Sequence, residues 1–144
     1  MHPLPHHYVV TSSLQPDGEA QLTSGELPAL GSMPPKEFGG PGDRWSPEGL
    51  FAASVLDCFV LNFRAIAAAS KLAWTSLEAK TEGVLDRADG KMKFVRIETT
   101  ATLVAPAGTD VDRATRMLEK AEATCPISNT LNCEHRLFIE ISLA

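Results

Sequence analysis

The stretch SPEGLFAASVLDCFVLNFRAIAAAS, residues 46–70, decides the fold of this chain. It opens on Ser46, Pro47 and Glu48, which are residue types favoured at the N-cap, the first position and the first turn of a helix. The positions that follow are apolar almost all round, and such a helix is usually buried at the centre of a domain. We therefore predict a long central helix from Ser46 to about Ser70.

Short strands are predicted before this helix. Tyr8–Leu14 and Glu19–Thr23 flank the turn signal Pro16-Asp17-Gly18, which together indicate a hairpin. A third strand is expected near Leu27–Leu30. The segment Gly31–Trp45 is rich in glycine and proline, which favours a loop.

A hairpin, a helix and a last strand are predicted after the central helix. Two runs with period-two alternation surround Asp89-Gly90, and an amphipathic helix opens after Asp110. Cys125-Pro126 should end that helix, and a short helix over Pro126–Asn132 should follow. The predicted strands are Leu77–Leu85, Val95–Leu103 and Leu137–Leu143. This order predicts an α+β fold, an antiparallel sheet packed with the long central helix, in a single domain over residues 1–144.

Composition narrows the class of protein. The chain has 144 residues, 44% apolar and 22% charged, with a net charge of −5 and no basic stripe, which argues against a nucleic-acid binder. The N-terminus does not resemble a secretory signal, and Leu50–Phe63, with Asp57 and Asn62, is too short and polar to span a bilayer. We therefore expect a cytoplasmic protein whose three cysteines are kept reduced.

The residues alone leave two interpretations of each main cysteine. Cys58 lies in the middle of the apolar helix, where a cysteine usually packs as a small hydrophobe; a reactive thiolate there would need a nearby cation. Cys125 lies at a helix end, where it is either a residue without a function or a reactive thiol. Whether the two cysteines come within disulfide reach depends on the fold.

Two further groups have both a structural and a functional interpretation. Glu48 suits the helix dipole, and it lies ten positions before Cys58, so another side chain such as an arginine would have to connect them. Cys133 and His135 form a Cys-x-His pair, but a zinc site usually needs a second pair at regular spacing. A metal-binding module using Cys133 and His135 is therefore a minor alternative, and we expect no metal.

Three stretches together resemble the OsmC/Ohr family of organic hydroperoxide resistance proteins. They are PKEFGGPG at residues 35–42, SPEGLFAA at 46–53 with Asp57-Cys58-Phe59, and AEATCPISN at 121–129. The resemblance implies the OsmC-like fold, an intertwined homodimer, and a thiol peroxidase without a cofactor. It further implies that Cys58 is the peroxidatic cysteine, that Cys125 is the resolving one, and that a dithiol or a lipoylated protein is the reductant.

One position departs from the family pattern. In the family, the glutamate that matches Glu48 holds an arginine from the N-terminal hairpin against the thiolate, but no arginine precedes Arg44 here. We expect Arg44 to substitute, with Arg64 as the next candidate. Trp45, Phe51 and Phe59 either form an apolar pocket that favours organic hydroperoxides or are plain core.

The missing N-terminal arginine keeps an alternative function open. In that alternative the chain is an OsmC-like dimer without peroxidase activity that binds a small ligand or a partner, and both cysteines are incidental.

Overall fold

The computed structural model describes every residue from Met1 to Ala144. The chain divides into two compact units, Met1–Leu50 and Phe51–Ala144, and the boundary falls in the first turn of the long helix. A single domain over residues 1–144 stays a prediction.

The first unit contains a three-stranded antiparallel sheet. Its strands are β1 (Thr11–Ser13), β2 (Ala20–Thr23) and β3 (Leu30–Ser32), in that spatial order. Gly18 has a φ of 90°, which favours glycine and explains why the turn falls there. The first two predicted strands are confirmed, although β1 is shorter than predicted because only three of its residues pair with β2. The third shares only Leu30 with its predicted range and extends into Gly31 and Ser32, which were predicted to lie in the loop.

The long helix α1 spans Pro47–Ala69, close to the predicted bounds. Ser46 forms its N-cap: the hydroxyl accepts from the Gly49 backbone N–H at 3.0 Å, and the carbonyl accepts from Leu50 N–H at 2.8 Å. The first bond satisfies one of the donors that every helix N-terminus leaves free, and the second is the first i→i−4 bond of the helix, so the chain turns into the helix at Ser46.

The prediction that α1 is buried all round is wrong within this chain. Only one stripe with a spacing of four residues is buried, and Leu61 is 44% exposed. Residues of this chain cover the remaining apolar surface only in part, as at Val60 and Ile66. The expectation that Leu50–Phe63 is too short and too polar for a membrane span does not hold for the whole helix. Helix α1 extends beyond that stretch at both ends, and by length and composition alone it is long and apolar enough to cross a membrane. The buried stripe consists of Val55, Phe59, Phe63 and Ala67.

The second unit contains a three-stranded sheet made of β4 (Ser76–Ala88), β5 (Lys91–Ala105) and β6 (Glu134–Leu143). Strands β4 and β5 form the predicted hairpin, and Asp89 and Gly90 both have positive φ, as a tight hairpin turn requires. Strand β6 pairs in parallel with β5, so the prediction of an antiparallel sheet is wrong for this pairing. The reason is topological, since a helix lies between the two strands and returns the chain to the same end of the sheet.

That connecting helix is α2, Val111–Ala123, and Asp110 caps its N-terminus by accepting from Arg113 N–H at 3.1 Å. Its apolar face joins α1 and β5 in the core of the second unit. The prediction of an amphipathic helix here is confirmed. The core residues are Phe59, Phe63 and Ala67 of α1, Ala101 and Leu103 of β5, Ala114, Leu118 and Ala121 of α2, and Leu72.

Candidate functional site

Cys58 and Cys125 come together in the second unit, 67 residues apart in sequence. Their Cα atoms are 6.1 Å apart and their sulfurs form a disulfide. This separation lies in the range that a disulfide spans without backbone movement. Cys58 is partly exposed on α1, whereas Cys125 is fully buried. Of the two residues only Cys58 has solvent-exposed surface, and Cys125 approaches it from the protein interior.

The local chain fixes Cys125 just beyond the end of α2. Pro126 prevents the helix from continuing, and a single turn of 3-10 helix over Ser128–Thr130 follows, shorter than the helix predicted for Pro126–Asn132. The turn directs the Ser128 backbone N–H at the Cys125 sulfur, with a nitrogen–sulfur distance of 3.4 Å. An N–H donor of this kind stabilises negative charge on the sulfur when the disulfide is open.

Asn62 was not among the predicted site residues, although it contacts the segment that carries Cys125. Its Nδ2 donates to the Ala121 carbonyl at 2.8 Å and to the Thr124 hydroxyl at 2.9 Å. Asn62 lies four positions after Cys58, so both side chains project from neighbouring turns on one side of α1. The only indication of this role in the sequence is the amide itself, which stands in a mostly apolar stretch.

Arg44 pairs with other carboxylates than the one predicted. Its Nε lies 2.7 Å from Glu19 Oε2 and its Nη1 lies 3.4 Å from Asp43 Oδ2. The hydrogen bond to Glu19 and the charge of Asp43 raise the pKa of Arg44 above its ordinary value. Gly31 makes room for this contact, because a Cβ at that position would collide with the Glu19 carboxylate. The predicted pair between Arg44 and Glu48 is therefore not formed in this structure.

Glu48 lies in the first turn of α1, and its Oε2 is shielded from solvent without a hydrogen-bond partner. It lines a cavity of about 580 Å³ in the first unit, together with apolar residues that include Leu14, Met33 and Phe38. A shielded carboxylate oxygen without a partner is costly, so this carboxylate has capacity for a donor or a cation.

The three aromatic residues predicted near the site have different surroundings. Phe59 is 1% exposed in the core of the second unit, so its structural interpretation is the right one. Phe51 stacks on Phe94 with ring centroids 4.5 Å apart. Trp45 is half exposed, and Arg64, the second candidate arginine, is exposed on α1.

His135 contacts a carboxylate and a hydroxyl. Its Nδ1 lies 2.9 Å from Glu122 Oε1, an ion pair when the ring is protonated, although the angle does not make a well-directed hydrogen bond. Its Nε2 lies 3.2 Å from the Thr99 hydroxyl. Cys133 is a free thiol, and no three His, Cys, Asp or Glu side chains group as metal ligands do. The metal-binding alternative therefore gains no support.

Comparison with known proteins places the chain among relatives of one fold. The family model described as OsmC-like protein matches residues 40–140. The uncharacterized protein YmaD of Bacillus subtilis (strain 168) is 26% identical over 125 residues, which cover 85% of this chain and 83% of that protein.

Solved structures give the same result at the level of the fold. An OsmC-like protein of unknown function from Vibrio cholerae has a TM-score of 0.86 at 16% identity, covering 94% of this chain and 100% of that one. An organic hydroperoxide resistance protein from Elizabethkingia anophelis has a TM-score of 0.80 at 22% identity, and the match covers 99% of this chain and 100% of that one.

Proposed function

This chain belongs to the OsmC-like family, and from that premise we propose that it is a thiol peroxidase that reduces organic hydroperoxides. The observation that carries the proposal is the pairing of partly exposed Cys58 with buried Cys125 at a Cα–Cα distance of 6.1 Å. A peroxidatic cysteine needs access to substrate, and a resolving cysteine needs disulfide reach to it. Relatives of this fold that are named organic hydroperoxide resistance proteins support the substrate class.

The first step oxidises Cys58. Its thiolate attacks the terminal oxygen of the hydroperoxide, the O–O bond breaks, and the alkoxide leaves and takes up a proton to become an alcohol. Cys58 is left as a sulfenic acid, two electrons more oxidised than the thiol. The thiolate is the required form, because a neutral thiol is a poor nucleophile.

The second step uses Cys125. Its sulfur attacks the Cys58 sulfur, the S–O bond breaks, and hydroxide leaves with the Cys125 proton as water. The Ser128 N–H, 3.4 Å from the Cys125 sulfur, favours the attacking thiolate. An external dithiol, free or carried on a lipoylated protein, then reduces the disulfide to two thiols and is itself oxidised to a disulfide.

Arg44 and Glu48 complete the proposal as the cation and its carboxylate. In this proposal Arg44 leaves Glu19 for Glu48. This exchange is inexpensive, since both partners of the existing pair are solvent-accessible, and exposed ion pairs contribute only ~0–1 kcal/mol. The partnerless Oε2 of Glu48 is the acceptor that such a move would satisfy.

The test is a thiol titration of the reduced protein before and after one equivalent of cumene hydroperoxide, with mass mapping of the product. We expect the rapid loss of two thiols and a Cys58–Cys125 link. Cys58→Ser should abolish turnover, and Cys125→Ser should accumulate sulfenic acid.

Cys133→Ser is the matched control, because Cys133 is the one cysteine outside the disulfide. It should turn over like the unmodified protein. Peroxide reduction that survives Cys58→Ser would overturn the proposed mechanism.

A second candidate function is the binding of a small ligand by a dimer without peroxidase activity. The cavity lined by Glu48 favours it, because about 580 Å³ is within the usual range for ligand pockets. No loss of thiols within minutes of peroxide addition would favour this candidate.

The proposal includes a homodimer that works in the cytoplasm, where the thiols are maintained in reduced form. The support for a dimer is the apolar surface of α1 that this chain leaves uncovered, including Leu61. Large uncovered apolar patches are typical of interfaces between protein chains.

A further inference from the structure

We propose that Asn62 is a positioning residue that keeps Cys125 within reach of Cys58 when the disulfide is open. The inference rests on the proposed use of this cysteine pair, and it adds a residue that governs how fast and how favourably the pair closes.

The contacts of Asn62 satisfy the C-terminal end of α2. The last carbonyls of a helix have no partner within the helix, and Ala121 is one of these positions. The Cys125 backbone N–H donates to Glu122 O at 3.2 Å instead, which leaves the Ala121 carbonyl to the Asn62 amide. A side chain of α1 thus completes the hydrogen bonding of α2 four residues before Cys125.

The second bond of Asn62 brings this support to the residue adjacent to Cys125. The Thr124 hydroxyl donates to Lys120 O at 2.7 Å, so its oxygen is free to accept from Asn62 Nδ2 at 2.9 Å. The acceptors require the nitrogen of the amide to face α2, because a carbonyl oxygen cannot donate. Both amide hydrogens are therefore used on one short segment.

The position of Asn62 on α1 makes this support relevant to the disulfide. It lies one helical turn after Cys58, and its partners lie one and four residues before Cys125. These bonds do not involve either sulfur, so they are available in the reduced protein. Ordering two groups in advance lowers the entropy lost when they react, which raises their effective concentration.

The same two helices provide a matched control. Arg113 Nη2, near the start of α2, donates to the Ser70 carbonyl just beyond the end of α1. Arg113→Met removes this bond but keeps most of the side-chain stem. The lost contact also joins α2 to the region of α1, but at the opposite end of α2 from Cys125. The variant therefore shows what a loss of stability does when the positioning of Cys125 is kept.

The experiment equilibrates each reduced protein with mixtures of reduced and oxidised glutathione. As the protein disulfide closes, its two thiols are oxidised and one molecule of oxidised glutathione is reduced to two molecules of reduced glutathione. Asn62→Leu should lower the equilibrium constant for disulfide closure by about tenfold, because the segment that carries Cys125 is then less ordered in the reduced protein and loses more entropy when the disulfide closes. Thr124→Val, which keeps the Ala121 bond and perturbs the fold less, should lower it by about threefold. Arg113→Met should leave it unchanged.

Stopped-flow measurements with cumene hydroperoxide give the second readout. Asn62→Leu should slow the resolution of the sulfenic acid about tenfold and leave its formation unchanged. Equal closure constants for Asn62→Leu, Thr124→Val and Arg113→Met would overturn the inference. The glutathione equilibrium involves no peroxide, so an unreactive Cys58 would refute the proposed function while this equilibrium still tests the role of Asn62.

Discussion

Arg44 is the residue that we propose as the cation acting on Cys58, and its pairing with carboxylates bears on that proposal. In the structure it is bound by Glu19 and Asp43, with Glu19 only 2.7 Å away. A cation near a thiolate lowers the cysteine pKa, and this effect is lost when the cation is removed.

We therefore predict that Arg44→Met slows the oxidation of Cys58 by about tenfold or more at neutral pH, since a nearby cation is worth about one pKa unit or more. The rate of thiol loss after addition of cumene hydroperoxide measures this. Arg64→Met is the control, because Arg64 is exposed on α1 and we expect it to leave the rate unchanged. A slower rate in Arg64→Met together with an unchanged rate in Arg44→Met would identify Arg64 as the cation.

Cys58 and Asn62 lie one turn apart on α1, but only one of them could be predicted as a site residue from the sequence. Cys58 was identifiable because the residues around it resemble a known family, and its pairing with Cys125 agrees with that resemblance. Asn62 was not, because its importance comes from the free carbonyl of Ala121, 59 residues away in sequence. The partner of Arg44 was missed for the same reason, since Glu19 approaches only after the first unit folds.

At the scale of elements, the β4–β5 hairpin depends on a glycine opposite an aromatic ring. A Cβ at Gly83 would lie 2.8 Å from Phe94 Cε1 and 3.4 Å from Ile97 Cδ1. The Phe94 ring cannot simply move away, because it also stacks on Phe51. The bare backbone of Gly83 thus leaves the space that the ring occupies.

Gly83→Val should therefore lower the free energy of unfolding by about 1–3 kcal/mol. Urea unfolding measures the loss. In a Phe94→Ala background the same substitution should cost clearly less, because the colliding ring is gone. An equal cost in both backgrounds would show that the ring is not the reason for the glycine.

The elements were predictable where the signal is local, as in the Ser46 cap of α1 and the turn at Asp89 and Gly90. The parallel pairing of β6 with β5 was not, because alternation along Glu134–Leu143 is the same for either direction. The partial burial of α1 also escaped prediction, since a fully apolar helix looks the same whether its own chain or another one covers it.

At the scale of the whole molecule, the disulfide closes a long loop. The two cysteines are 67 residues apart, and a link of this length reduces the entropy of the unfolded chain by an amount worth about 4 kcal/mol. Reduction should thus lower the melting temperature by about 10 °C. Calorimetry of the oxidised and reduced forms measures the difference, and Cys58→Ser should melt like the reduced form under both conditions.

The proposed dimer gives a second prediction at this scale. Leu61→Glu should have little effect on a monomer, where this side chain is 44% exposed, but it should weaken a dimer that buries α1 by about a hundredfold or more. Sedimentation at several concentrations measures the association. Arg116→Glu on α2 is the control for an added negative charge, and an unchanged dimer in Leu61→Glu would place the interface elsewhere.

The long separation between Cys58 and Cys125 also has a consequence for synthesis on the ribosome. Helix α1 is made early, whereas Cys125, α2 and the strand β6 that completes the second sheet come last. Contacts between distant parts of a chain form late and slowly. Until Cys125 has been made, Cys58 is therefore a thiol without its partner, and in the proposed mechanism a Cys58 oxidised during that period could not be resolved within the chain.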